Sequence, residues 1–423
     1  MAAGPPGSGQ VYIAIIKLVE LLSRAGFTVA VAFMLPLDAA GRFGIIVTLV
    51  SLFAFAFGWE RHVDLQRRLV GGPEHRFDEG VAAALRLYGF NWLAMLPLFW
   101  LAMAFWTGPD PLLLALATIV VLSEQLANQL YNITLVQPRY QAALTTVAVK
   151  NVGVALAIAA FILFAPSRLS VELVVTIWAI ASALGTAALA FALVRVRAPL
   201  PPEAAREAPG IFDQHRASLT HFLIGLVAVL SLQIDRLVAG GLLPLAEVGI
   251  YFRHILLVSF AYQLFNITSY NRVVPKVFAA ARTEPVATLF AILRRELIML
   301  AAVIIGGLAA ALAIDAATGH YFTGRFALQP ALGAILLSGA LVRIAGDQQS
   351  MILNATMRER LILRHQLIAL AAGATALAAL TLAFGLYGTA CATIVPASLY
   401  LALNLTANLR GPGRHLPAAA RPS

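Results

Sequence analysis

Lys17, Glu20 and Arg24 follow one another at i, i+3 and i+7 inside an apolar stretch, so a helix carries all three on one face. A guanidinium in that position offers paired hydrogen bonds to a phosphate or carboxylate group. Glu20, one turn away, balances its charge. Three more such clusters occur. Glu124, Asn128 and Asn132 form a stripe in SEQLANQLYN (Ser123–Asn132), and Arg343 and Asp347 stand at i, i+4 in RIAGDQQSMILN (Arg343–Asn354). Asp235 and Arg236 precede a short Pro-containing turn, and Arg253 and His254 follow it. Charges inside apolar runs are costly and mark either structural ion pairs or a functional pathway. No catalytic constellation accompanies them. The chain has no GxxxxGK(S/T) phosphate loop and no HExxH, and its longest outer loop, near Thr318–Pro330, is too short to house a sugar-transfer site. A non-enzymatic, transport-type chemistry is expected.

Each cluster has two readings. Lys17 lies near a span end and can snorkel. Arg24, about 10 Å deeper at 1.5 Å per residue, either pairs with Glu20 or lines a hydrated anion-binding cavity, and both can hold. Counted from the hairpin at Pro244–Glu247, Asp235 and Arg253 reach depths of about 13 and about 9 Å, close enough for an interhelical pair. The sharper reading makes Asp235 a titratable coupling site. The polar stripes on Glu124 and Arg343 are either interhelical glue or cavity lining.

These residues must be held by helices in a membrane. Of 423 residues, 60% are apolar and only 12% charged, about half the usual share for a soluble domain. Stretches of about 20 apolar residues recur along the chain. Twelve spans are expected: Lys17–Leu37, Phe43–Trp59, Leu87–Trp106, Leu112–Val136, Ala143–Ala165, Leu173–Val194, Phe222–Leu243, Val248–Val274, Leu297–Ala317, Ala331–Met351, Leu363–Phe384 and Leu386–Leu409. Helices are required because an unpaired backbone is too costly in lipid, and the alternating pattern of a barrel is absent. The net charge of +10 belongs to basic loops beside an anionic leaflet rather than to a nucleic-acid surface. With both termini inside, 21 of the 30 Lys and Arg fall on inner loops and tails, counting Lys150 slightly inside a span. Three (Arg42, Arg168, Arg325) fall outside, and six (Lys17, Arg24, Arg86, Arg236, Arg253, Arg343) lie in or at the ends of spans. That asymmetry satisfies the positive-inside rule. The N-terminus lacks the basic region of a cleaved signal, and the single Cys391 excludes an internal disulfide.

Two six-helix bundles are expected, 1–197 and 216–423, joined by a Pro-rich cytoplasmic linker over 198–215 that includes APLPPEAAREAPG. LPLDAAGRF (Leu35–Phe43) and LPLAEVGIY (Leu243–Tyr251) share Leu-Pro-Leu, a Gly and an aromatic at one constant offset of 208 residues. That spacing implies duplication. Six spans per repeat is even, so the bundles share one topology about a pseudo-twofold along the membrane normal. Pro97 and Pro396 predict kinks.

QIDRLVAGGLLPLAEVGIYFRHILLVSF (Gln233–Phe260) resembles the segment across spans seven and eight of bacterial O-antigen and polysaccharide flippases. Those belong to the multidrug/oligosaccharidyl-lipid/polysaccharide exporter superfamily. The matching pattern is Asp235, Gly240, Gly249 and Tyr251; LNATMRERLIL (Leu353–Leu363), GLYGTA (Gly385–Ala390) and PLDAAGRFG (Pro36–Gly44) are similar to further parts of it. Arg253 and His254 depart from the family pattern, which has mostly neutral residues there. The resemblance implies a multi-pass protein of the bacterial inner membrane that flips an undecaprenyl-diphosphate-linked oligosaccharide to the periplasmic leaflet by alternating access. It implies no cofactor beyond a proton or Na⁺ gradient. Its expected partners are the lipid-linked oligosaccharide, membrane lipid, and the polysaccharide polymerase and chain-length machinery. Arg24, Arg236, Arg253 and Arg343 are then candidate diphosphate ligands, with Asn128 and Asn132 toward the sugar. Glu20, Glu124, Asp235 and Asp347 are candidates for charge balance or coupling. A multidrug/cation antiporter of the same superfamily and a non-transporting partner of a polysaccharide assembly complex are the alternatives.

Overall fold

A computed structural model describes residues 8–62, 65, 74–134, 140–194, 210–265, 271–280, 284, 286–318, 326–356 and 358–410. The linker over 198–209, Arg67, Arg68 and Arg325 lie outside the described residues. Everything described as regular structure is helical. Eight helices among the described residues are long and apolar enough to cross a membrane. The chain is a multi-pass membrane protein.

The chain divides into two compact units, Met1–Val229 and Leu230–Ser423. The first contains α1 (Ser8–Met34), α2 (Leu37–Gly58), α3 (Glu74–Thr107), α4 (Pro111–Thr134), α5 (Tyr140–Phe164), α6 (Val171–Val194) and the start of α7 (Ile211–Leu242). The second contains the rest of α7, then α8 (Leu245–Phe265), α9 (Asn271–Ala280), α10 (Val286–Ala317), α11 (Pro330–Ala355) and α12 (Glu359–Arg410). The division falls within α7 because its first half is anchored to the first unit. Phe222 stacks on Trp59 with ring centroids 3.7 Å apart, and His215 Nε2 lies 2.9 Å from Asn91 Oδ1.

The duplicated hairpins are built alike. Leu35 N–H donates to Val31 O at 3.0 Å, and Leu243 N–H donates to Ala239 O at 2.8 Å. Ala40 N–H reaches Pro36 O at 2.8 Å, and Val248 N–H reaches Pro244 O at 3.1 Å. In both, Pro opens the second helix, where its missing N–H costs nothing. The aromatic of each motif, Phe43 and Tyr251, is fully buried. The shared letters therefore encode a shared turn.

Local signals set several other ends. Asp110 caps α4, its Oδ1 accepting from Leu112 N and Leu113 N at 3.1 Å each, with Pro111 at the first helical position. α12 is broken at Gly385 (φ 56°, ψ −135°), a conformation that a side chain would strain. Its two arms, 359–384 and 386–410, are each long enough for a bilayer core of about 30 Å. Thr381 and Thr389 join across the break, their hydroxyls 2.9 Å apart. Where the arms meet further along, Gly373 makes room for the ring of Pro396. The helices continue through both Pro97 and Pro396. Several helices outrun the expected spans: α3 begins at Glu74, α7 at Ile211 and α10 at Val286.

Within the first unit, α1 packs on α5, α4 on α6 and α5 on α6. In the second, α11 packs on α12 and α8 on α11. Amides stitch α11 to α12: Asn404 Nδ2 donates to Gly346 O at 3.3 Å and Asn408 Nδ2 to Gln349 O at 3.0 Å. His365 Nδ1, 2.8 Å from Asn404 Oδ1, holds that amide in place. Such bonds replace the hydrophobic drive that lipid does not supply between helices.

Candidate functional site

The first unit concentrates its charges where α1, α4, α5 and α6 converge. Glu124 on α4 is held by four hydrogen bonds. Lys150 Nζ donates to its two oxygens at 2.8 and 2.9 Å, Trp178 Nε1 donates at 2.9 Å and Ser182 Oγ at 2.6 Å. Lys150 is buried in the middle of α5, and its stem crosses α6 at Gly185, where a Cβ would collide with it. The expectation that Lys150 belongs with the inner-loop charges is therefore corrected: it is an intramembrane cation paired to Glu124. The hydropathy of its flanks was the signal, since VAVKNVGVALAIAA (Val147–Ala160) holds no other charge. Trp178 and Ser182 were not foreseen, because single Trp and Ser residues in an apolar helix carry no marker of their partner.

The stripe Glu124, Asn128, Asn132 is present on one face of α4. Asn132 Nδ2 donates to Asn128 Oδ1 at 3.3 Å, and Asn128 is exposed. The amides on the neighbouring face, Gln125 and Gln129, are buried and accept from Trp92 Nε1 and Tyr88 OH at 3.0 Å each. α1 brings Lys17, Glu20 and Arg24 toward this cluster. Tyr12 OH, 2.9 Å from Thr145 Oγ1, fastens α1 to α5. Glu20 lies within electrostatic reach of Arg24, Lys150 and Lys17, and Glu124 within reach of Arg24. Arg24 is exposed, and among the described residues its guanidinium makes no hydrogen bond or close ion pair. The tight Glu20–Arg24 pair is not formed; Arg24 remains an available donor. Far along the same helices, Arg42 ties the start of α2 to Asp110 (3.5 Å) and to Glu172 of α6 (3.3 Å), closing that end of the unit.

The second unit lines a half-open cavity of about 340 Å³ between α7, α8, α11 and α12. Ser231, Gln233, Asp235, Arg236, Tyr262 and Arg343 give it polar walls, and Leu336, Leu377 and Pro396 apolar ones. Asp235 accepts from Tyr251 OH at 2.6 Å through Oδ2, while its buried Oδ1 has no partner among the described residues. Arg236 Nη1 donates to Gln233 Oε1 at 2.6 Å, and its buried Nε has no partner among the described residues. Arg343 Nε donates to Asp347 Oδ1 at 3.2 Å, and its guanidinium carbon sits 4.7 Å over the Tyr400 ring. Tyr262 OH donates to the other oxygen of Asp347 at 3.3 Å.

Arg253 and His254 face elsewhere. Arg253 Nη1 donates to Phe326 O at 2.8 Å. His254 Nδ1 donates to Ile250 O at 2.7 Å, and its Nε2 accepts from Gln329 N–H at 2.9 Å. Together they hold the segment that leads into α11. The expected Asp235–Arg253 pair is thus corrected, since the two take different partners. Depth alone suggested the pair, but residues 251 and 253 diverge by about 200° around a helix. Tyr251 faces Asp235, and Arg253 consequently does not. Of the expected residues, Asp235, Arg236 and Arg343 share the cavity, with Asp347 behind Arg343. Glu20, Arg24, Glu124, Asn128 and Asn132 belong to the first unit.

No protein-family profile matches the chain, and no curated protein sequence matches it. Solved structures do. A lipid II flippase, MurJ, in an inward closed conformation superposes with a TM-score of 0.71 at 13% identity, over 93% of this chain and 87% of that one. An inward-facing multidrug resistance MATE family transporter of the MOP superfamily gives 0.69 at 13% identity, over 94% and 97%. A MATE in the straight conformation gives 0.52 at 15%, over 94% and 93%. At these identities the likeness is one of fold alone: the chain shares the all-helical fold of these solved flippase and MATE transporter structures.

Proposed function

We propose that the chain is an inner-membrane flippase carrying an undecaprenyl-diphosphate-linked oligosaccharide from the cytoplasmic to the periplasmic leaflet. Its layout in this reading is twelve spans in two six-helix bundles, with both termini cytoplasmic. The observation that carries the proposal is Arg24: an exposed guanidinium on α1 that, among the described residues, makes no hydrogen bond or close ion pair while lying within electrostatic reach of Glu20 and Glu124. A cation left unpaired within a span is expensive unless water or an anionic load meets it. A diphosphate supplies that load, and the fork of Arg24 matches its oxygens. The exposed Asn128 lies on the stripe that leads away from Glu124 and offers an amide to sugar hydroxyls. The resemblance to MurJ in fold is consistent with a lipid-linked load.

Alternating access needs two arrangements of the bundles and a driving gradient. Glu124, saturated by four donors, serves charge balance. Asp347 serves it too, through Arg343. Glu20, which makes no close ion pair among the described residues, and Asp235, whose Oδ1 has no partner among them, are the residues to which we assign H⁺ or Na⁺ coupling. The MATE-like fold, with the unpaired carboxylate oxygen of Asp235, favours cation antiport as the second reading. Inverted inner-membrane vesicles loaded with labelled lipid-linked oligosaccharide separate the two. Translocation that is lost in Arg24→Ala supports the flippase. Gradient-driven uptake of ethidium without oligosaccharide translocation supports the antiporter and ends the first reading.

A further inference from the structure

The two arms of α12 carry positive charge that the chain itself does not balance. From Arg360 to Ser423 the sequence has five Arg and no Asp or Glu. Arg360, Arg364 and Arg410 are exposed, and among the described residues their guanidiniums make no hydrogen bond or ion pair. Glu359 is the one acid of α12, against these three Arg.

The fold brings the three to one level. The arms run antiparallel from the break at Gly385: Thr381 meets Thr389, Gly373 meets Pro396 and His365 meets Asn404. Continued to the far end, that register sets Arg410 level with Glu359 and Arg360. Arg358 fixes this end, its Nη1 donating to Ala407 O at 3.3 Å.

These charges cap a lipid-facing surface. Arg360, Arg364, Leu367 and Ala371 follow at i, i+4, i+7 and i+11, one exposed stripe that continues to Leu382. From Arg364 to Leu382 the helix rises about 27 Å, close to the thickness of a bilayer core. On the second arm, exposed Leu405 and Leu409 lead directly to Arg410. The guanidiniums therefore stand at headgroup depth, beside side chains that acyl chains cover. An acidic protein partner would use the charge but not the apolar stripes. A phospholipid uses both.

We propose that Arg360, Arg364 and Arg410 form a seat for an anionic phospholipid, its phosphate at the guanidiniums and its acyl chains along Leu367 and Leu409. Guanidinium forks bond phosphate oxygens in pairs. A zwitterionic headgroup offers the same phosphate but brings an ammonium group that three guanidiniums repel, so the seat selects net negative charge. Snorkelling alone would give each Arg a passing headgroup of any kind. Three at one level, with one acid among them, hold a single headgroup. The seat uses none of the residues assigned to load or coupling and is independent of the flippase reading.

Native mass spectrometry of the purified full-length protein tests the seat. With phosphatidylglycerol and phosphatidylethanolamine supplied equally, the wild type should retain phosphatidylglycerol roughly fivefold better or more. The triple variant Arg360→Gln/Arg364→Gln/Arg410→Gln should lose that preference. Lys276→Gln/Arg294→Gln/Arg295→Gln removes as many exposed cations from α9 and α10 and should keep it within about twofold. Arg364→Lys serves if the first triple variant does not fold: charge without the fork should lower phosphatidylglycerol retention about twofold or more. Excess inorganic phosphate should leave the bound lipid in place. Equal retention of the two lipids by the wild type overturns the proposal. So does an equal loss in both triple variants, which would show diffuse charge attraction without a seat. Unchanged retention in Arg364→Lys, or displacement of the lipid by inorganic phosphate, overturns it as well.

Discussion

Lys150 and Glu124 meet inside the first unit with nitrogen–oxygen distances of 2.8 and 2.9 Å, joining the middle of α5 to α4. Trp178 and Ser182 of α6 complete the carboxylate's shell, so one acid organises three helices. Removing one partner strands a buried charge, which typically costs about 3–5 kcal/mol, whereas removing both costs less. Lys150→Met and Glu124→Gln should each lower thermal stability clearly, and the double variant should recover part of the loss. Simple additivity in a double-mutant cycle on unfolding temperature would refute the coupling.

Arg24 is expected to act through its shape as well as its charge. Arg24→Lys keeps the charge but loses the fork, so flipping should fall severalfold while membrane abundance holds. Arg24→Ala should nearly abolish it. Complementation of polysaccharide export in a strain lacking the protein, with abundance checked by blot, measures both. Full complementation by Arg24→Ala at normal abundance removes Arg24 from the site.

Arg253 and His254 are expected to be structural, because both grip backbone atoms ahead of α11. His254→Ala leaves the Gln329 N–H without its acceptor, a loss of about 1–3 kcal/mol for a buried donor. The unfolding temperature of purified His254→Ala and Arg253→Ala should drop, while flipping in vesicles at matched protein level stays near wild type. A selective loss of flipping at unchanged stability would instead place Arg253 at the load.

Orientation follows from the distribution of Lys and Arg. Cysteines introduced at Arg168, which is exposed, and at Pro202 should label from opposite sides of the membrane. The background needs Cys391→Ala, because Cys391 is itself exposed. Labelling of both sites from outside would break the twelve-span layout.

Composition alone determined that this chain lives in a membrane as helices, because no other backbone arrangement fits such apolar runs. The duplicated Leu-Pro-Leu turns were equally legible. Pro and the buried aromatic act locally, and both hairpins close with the same hydrogen bonds. The break at Gly385, between Leu363–Phe384 and Leu386–Leu409, was readable for a similar reason. The polar stripe on α4 was visible too, since helical periodicity places side chains on a face. Extra helix at Glu74, Ile211 and Val286 was not, because hydropathy detects only the part of a helix that lipid surrounds. Partnership was decided by the tertiary structure. Sequence spacing sets a residue's depth and its face on its own helix, but not the rotation of the helix against its neighbours. That rotation gave Asp235 to Tyr251, turned Arg253 toward Phe326 and buried Lys150 against Glu124. It also gathered Asp235, Arg236 and Arg343, distant in sequence, around one cavity.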